Sequence, residues 1–92
     1  MKLASKIILH VPLTDEHAIY PFIAQCVAES VLLICVAGAG SEAVHDQIDG
    51  IIEDLGSDIA TTWHDDNEPL DGVRAFAVIF GNATDDVADI WL

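Results

Sequence analysis

Two short runs of unbroken, largely β-branched apolar sequence constrain this chain more than anything else in it. Lys6-Ile7-Ile8-Leu9-His10-Val11 and Val31-Leu32-Leu33-Ile34-Cys35-Val36 do not alternate polar with apolar residues. Strands of that kind are buried on both faces, as happens in a parallel sheet sandwiched between helices. Pro12 ends the first run and Gly38-Ala39-Gly40 closes the second. Between them, Pro21 suits a first helical turn, and Phe22, Ile23, Cys26 and Val27 recur at helical spacing up to Glu29-Ser30. After the second run, Ser41 reads as an N-cap and Glu42 favours the positive end of a helix. Val44, Ile48, Ile51, Ile52 and Leu55 then fall on one face, and Gly56 stands at the C′ position.

The remainder continues the alternation. Ile59–Trp63 reads as a third strand, more polar and therefore nearer an edge, and His64–Pro69 as a loop. Ala75–Phe80 reads as a fourth buried strand. Leu70, Val73, Phe76 and Ala77 also fit a helix, so residues 68–77 stay open between the two. Thr84 is placed to cap a last helix carrying Val87, Ile90, Trp91 and Leu92. The expected architecture is one α/β domain over residues 1–92, a small three-layer sandwich. It has about four mostly parallel strands, right-handed crossovers and helices on both faces. Ile7, Leu9, Leu33, Cys35 and Phe80 should be buried.

Charge excludes several function classes. Sixteen acids face three bases, a formal net charge of −13. The bases are Lys2, Lys6 and Arg74, and thirteen of the acids lie in residues 41–92, with Arg74 as the one base there. Nucleic-acid binding needs basic surface to release counterions, and an anionic membrane surface repels such a chain. Basic proteins and cations are its natural partners. Cys26 and Cys35 sit in apolar stretches without a neighbouring cation or a CxxC spacing, so they read as small buried hydrophobes. The N-terminus lacks the long apolar core and cleavage site of a signal peptide, so the expected location is the cytoplasm.

Parallel strands place their C-terminal ends on one edge, where ligands bind in such sheets. That edge should gather Asp15 and His17 after the first strand, Ser41 after the second, and His64, Asp65 and Asp66 after the third. Asn82 and Thr84 would join them after the fourth. His64, Asp65 and Asp66 offer imidazole and hard oxygen ligands of the kind a divalent metal accepts. Gly38-Ala39-Gly40-Ser41 looks like half of a phosphate-binding turn, but position 43 is alanine and no Lys-Ser/Thr pair follows. A phospho-acceptor receiver needs a late lysine, and none occurs after Lys6. No catalytic nucleophile stands out, since neither Ser5 nor Ser41 lies in a Gly-x-Ser-x-Gly elbow. His10 reads as a satisfied strand residue.

One pattern is less automatic. Glu42, Asp46, Asp49 and Glu53 step by four, three and four residues, within about 60° of one another and opposite the apolar face. Like charges so placed cost a few tenths of a kcal/mol per pair, and no lysine on this helix offsets them. The sequence therefore points to a small acidic binding module that docks a basic protein, of inhibitor, immunity or adaptor type. The alternative is a metal-dependent or phosphate-handling enzyme at the C-terminal edge of the sheet.

Overall fold

A computed structural model describes residues 3–82 and 85–92. In chain order it contains β1 (Lys6–Val11), a 3-10 turn (Glu16–Ala18), α1 (Ile19–Ala28) and β2 (Leu33–Gly38). These are followed by α2 (Ser41–Asp54), β3 (Ala60–His64), α3 (Leu70–Ile79) and β4 (Val87–Trp91). The four strands form one sheet in the order β3-β2-β1-β4, and every neighbouring pair is parallel. The two apolar runs of the sequence thus become the two central strands, as burial on both faces requires.

The alternation along each strand divides the core in two. Ile7, Leu9, Ile34 and Val36 point to one face and pack with Ile19, Phe22, Ile23 and Cys26 of α1 and Ile48, Ile51 and Ile52 of α2. Ile8, Leu33, Cys35 and Ala37 point to the other and pack with Val73 and Ala77 of α3. Ile7, Leu9, Leu33 and Cys35 are fully buried as expected, whereas Phe80 is only partly buried.

The two cysteines sit in different clusters on opposite sides of the sheet, so they cannot reach each other. Burial pushes the Cys26 thiol up to about 12 and raises that of Cys35. Both stay protonated at neutral pH and are shielded. A thiol reagent at pH 8 should therefore modify neither in the folded protein within the time that it modifies both in denaturant. Rapid labelling of either cysteine in the folded chain would contradict this packing.

Two helix ends follow their local chemistry. Gly56 takes a positive φ of 68° after α2, its N–H bonding to the Glu53 carbonyl while Ser57 N–H reaches Ile52 O, the paired closure of a Schellman end. At the start of α2 the cap is Gly40 rather than Ser41. Ser41 is instead the first helical residue, and its buried Oγ donates to the His64 carbonyl at 2.9 Å, tying α2 to the end of β3.

The last third departs from expectation. Residues 70–79 are helix α3 and not a fourth strand. Val73 and Ala77, four residues apart, are fully buried, while Arg74, Ala75, Val78 and Ile79 between and beyond them are exposed. A strand buried on both faces would have hidden all of these, so helical spacing prevails over the continuous apolar reading. The fourth strand is the segment expected to be a helix, Val87–Trp91, paired with β1 over five residues. Pairing with β1 satisfies the backbone groups along the otherwise open edge of that strand. Thr84, the expected cap of that helix, lies outside the described residues.

Candidate functional site

Parallel pairing aligns the strand ends residue by residue. In one row, His64 of β3 lies beside Ala37 of β2, Ala37 beside His10 of β1, and His10 beside Trp91 of β4. This row forms the C-terminal margin of the sheet on the α3 side. Gly38 follows Ala37 with a φ of 125°, and a Cβ placed there would lie 2.2 Å from the Val11 carbonyl oxygen. Glycine is needed because the β1 and β2 backbones approach so closely here. Strand packing, and not phosphate, accounts for that glycine.

Beside the row lies a cleft of about 260 Å³. His10, Val11, Ala37 and Gly38 line it from the strands. Asp65, Asp66 and Glu68 line it from the loop after β3, and Leu70 from the first residue of α3. Its position matches the general location of ligand sites in parallel sheets.

His10 is held by two partners. Its Nε2 is 2.8 Å from Asp89 Oδ1, and its ring stacks on Trp91 with centroids 4.4 Å apart and planes 8° from parallel. Arg74, reaching down from α3, bonds the other carboxylate oxygen of Asp89. The hydrogen bond from His10, with the Arg74 guanidinium on the second oxygen, holds the Asp89 carboxyl below the usual carboxylate range against the opposing effect of burial. An ionised carboxylate only accepts, so Nε2 of His10 carries a proton and donates it to Asp89. Nδ1 has no hydrogen-bond partner among the described residues.

His64 is engaged differently. Its Nδ1 is 2.5 Å from Glu68 Oε2, its Nε2 is 2.8 Å from the Thr62 hydroxyl, and its ring lies against Phe76. Asp65 Oδ1 accepts the Asn67 N–H at 3.0 Å, a local turn. Among the described residues no group of three His, Cys, Asp or Glu side chains is arranged to hold a metal ion, so His64, Asp65 and Asp66 do not converge as ligands.

Of the edge residues expected from the sequence, Asp65 and Asp66 line the cleft. Ser41 and His64 adjoin the margin through their mutual bond but do not line it. Asp15 caps the 3-10 turn by accepting the His17 N–H at 3.0 Å, and neither residue reaches the cleft. Asn82 belongs to the opposite edge, because its carbonyl accepts from Lys6 at the start of β1. The sequence reading missed His10, Asp89, Arg74 and Trp91 as a unit. The readable signal was a lone polar residue near the C-terminal end of a buried strand. The partners were hidden by the misassigned last strand.

The acidic residues of α2 lie as expected. Glu42, Asp46, Asp49 and Glu53 are all exposed, and Ile48, Ile51 and Ile52 on the opposite side are buried. His45 stands 3.2 Å from Asp46 and 3.4 Å from Asp49, and Thr61 of β3 bonds both His45 and Asp49.

A family model described as a domain of unknown function (DUF7684) matches residues 4–90. The chain belongs to that family. The match takes in the three helices and the four strands except for Trp91, the last residue of β4. No curated protein and no solved structure matches the chain. No helix among the described residues is long and apolar enough to cross a membrane.

Proposed function

We propose that this protein is a binding module that docks a basic segment of another protein on the outer face of α2. The observation that carries the reading is the state of the basic side chains. Among the described residues the lysine and arginine side chains are Lys6 and Arg74, and the imidazole of His45 stands beside Asp46 and Asp49. Lys6 is fully buried and donates to backbone carbonyls, and Arg74 is bound to Asp89. Neither is free to neutralise Glu42, Asp46, Asp49 and Glu53. Aligned like charges on an exposed helix face cost stability that a partner of opposite charge returns on binding. A role as inhibitor, immunity protein or adaptor, working in the cytoplasm, fits such a face, and two shielded free thiols suit that compartment.

The test is the double variant Asp46→Lys/Glu53→Lys. It creates opposite-charge pairs with Glu42 and Asp49 at four-residue spacing, so thermal stability should be unchanged or rise by up to about 0.5–1 kcal/mol. The same variant should lose most of the affinity of the parent for a short Lys/Arg-rich peptide at low salt, mainly through slower association. A stable variant that binds the peptide as tightly as the parent would refute the reading.

A further inference from the structure

The sheet ends at two edges that differ in character. β3 forms one, with Asp58 before it, Asp65 and Asp66 after it, and Asp49 of α2 bonded to its Thr61. β4 forms the other, on the opposite margin from α2, which packs over β2 and β3. The Lys6 N–H bonds the Asp86 carbonyl and the Thr14 N–H bonds the Leu92 carbonyl. Ala88 and Ile90, between them, therefore turn their backbone groups towards β1. Those of Val87, Asp89 and Trp91 point outwards, and no strand among the described residues pairs with them. Natural edge strands are commonly blunted by a lysine, a proline or a bulge, and β4 carries none of these.

The sequence of β4 is complementary to itself. A two-fold axis at Asp89, its central residue, sets Val87 opposite Trp91 of an antiparallel second copy, and Ala88 opposite Ile90. Large meets small on both faces of the sheet, and Trp with Val is a favourable cross-strand pair. Trp91 is 70% exposed despite its stack on His10, so most of the indole is open to such a neighbour. Leu70 and Val78 of α3, exposed one turn either side of Arg74, extend the apolar surface beside the strand. Two Asp89 carboxylates meet at the axis, but each brings its own counter-charge, because Arg74 bonds one oxygen while His10 donates to the other. Asp86 and its copy then stand about 20 Å apart, well beyond the screening length of about 8 Å at physiological salt. The acidic α2 faces lie at the two far ends of the joined sheet, whereas pairing at β3 brings them together.

We infer that a second copy of this chain docks antiparallel along β4, joining two four-stranded sheets into one continuous sheet. The outward backbone groups of Val87, Asp89 and Trp91 find their partners there, Asp89 exchanging both of its bonds with Asp89 of the second copy. The pairing covers neither α2 face, so the assembly presents two separate acidic faces.

The experiment is analytical ultracentrifugation of the unaltered protein from micromolar to millimolar concentration at physiological salt, with residue-resolved amide exchange at both ends of that range. The mass should rise from one copy to two. Over the same range, exchange of the Val87, Asp89 and Trp91 amides should slow about tenfold or more, while the Ala88 and Ile90 amides keep the protection that β1 already gives them. Trp91→Lys puts a lysine on the edge, and Arg74→Gln leaves the facing carboxylates without their counter-charge. Each should weaken association about tenfold or more, whereas Asp46→Lys/Glu53→Lys, on the far helix, should not weaken it. The two edge variants act by different means, so one that keeps the parent's circular dichroism suffices. A single-copy mass throughout would overturn the inference, and protection of the same three amides only on adding an extended peptide would assign the edge to another protein's strand instead. So would a dimer whose β4 amides exchange as in the monomer, or undiminished association in a folded edge variant.

Discussion

Gly38→Ala is expected to destabilise the protein by roughly 2–4 kcal/mol, while the same substitution at Gly50 stabilises it by about 0.5–1 kcal/mol. The opposite signs follow from two environments. At Gly38 the φ of 125° is one that side-chain-bearing residues rarely adopt, and the new Cβ would meet the Val11 carbonyl oxygen at 2.2 Å. That oxygen belongs to the backbone of β1, and Val11 is paired with Gly38 in the sheet, so relief requires the two central strands to part at their C-terminal ends. Gly50 lies within α2 with nothing within 4 Å of its would-be Cβ, so alanine there only reduces the freedom of the unfolded chain. Urea denaturation of the two variants side by side reads both effects. A neutral Gly38→Ala would mean that β1 and β2 do not approach as closely as described.

Lys6→Ala is expected to cost about 2–4 kcal/mol. Lys6 is fully buried on the α3 side of β1, and its Nζ donates to Val78 O at 3.0 Å and to Asn82 O at 2.8 Å. These carbonyls close the C-terminal end of α3, where a helix leaves acceptors without partners and where its dipole favours a cation. One side chain thereby joins the start of β1 to the end of the helix that covers this face. Alanine removes the donors and also leaves a void where the methylene stem was packed. Lys6→Met separates the two losses, since it restores most of the stem volume without the donors. It should recover part of the stability and not all of it. A methionine variant as stable as the parent would show that the bonds to the helix end contribute nothing net.

The central strands, the first two helices and the parallel sandwich were legible because their signals are strong and unmixed. Ile7 to Leu9 and Leu33 to Val36 carry no polar residue, and α2 combines an apolar face with a glycine stop. The exchange of strand and helix in the last third has a specific cause. Ala75-Phe76-Ala77-Val78-Ile79-Phe80 is apolar throughout because α3 leaves Val78 and Ile79 exposed, so its inner face could not be told from its outer one. Val87–Trp91 is five residues with an aspartate at its centre, which reads poorly as a strand until His10 and Arg74 are placed beside that aspartate. For the same reason the His10 assembly was out of reach. Its members are brought together by pairing β4 to β1 across the length of the chain. The acidic face of α2, by contrast, depends only on helical geometry and was visible from spacing alone.

The most direct test of the docking account is residue-by-residue amide shift mapping of the unaltered protein during titration with a Lys/Arg-rich peptide. At low salt, saturable shifts should concentrate on the exposed face of α2 around Glu42, Asp46, Asp49 and Glu53 and on the adjoining His45 and Thr61. They should shrink steeply as ionic strength rises and the screening length falls toward about 8–10 Å. Shifts spread evenly over the acidic surface, or centred away from α2, would contradict a docking face on that helix.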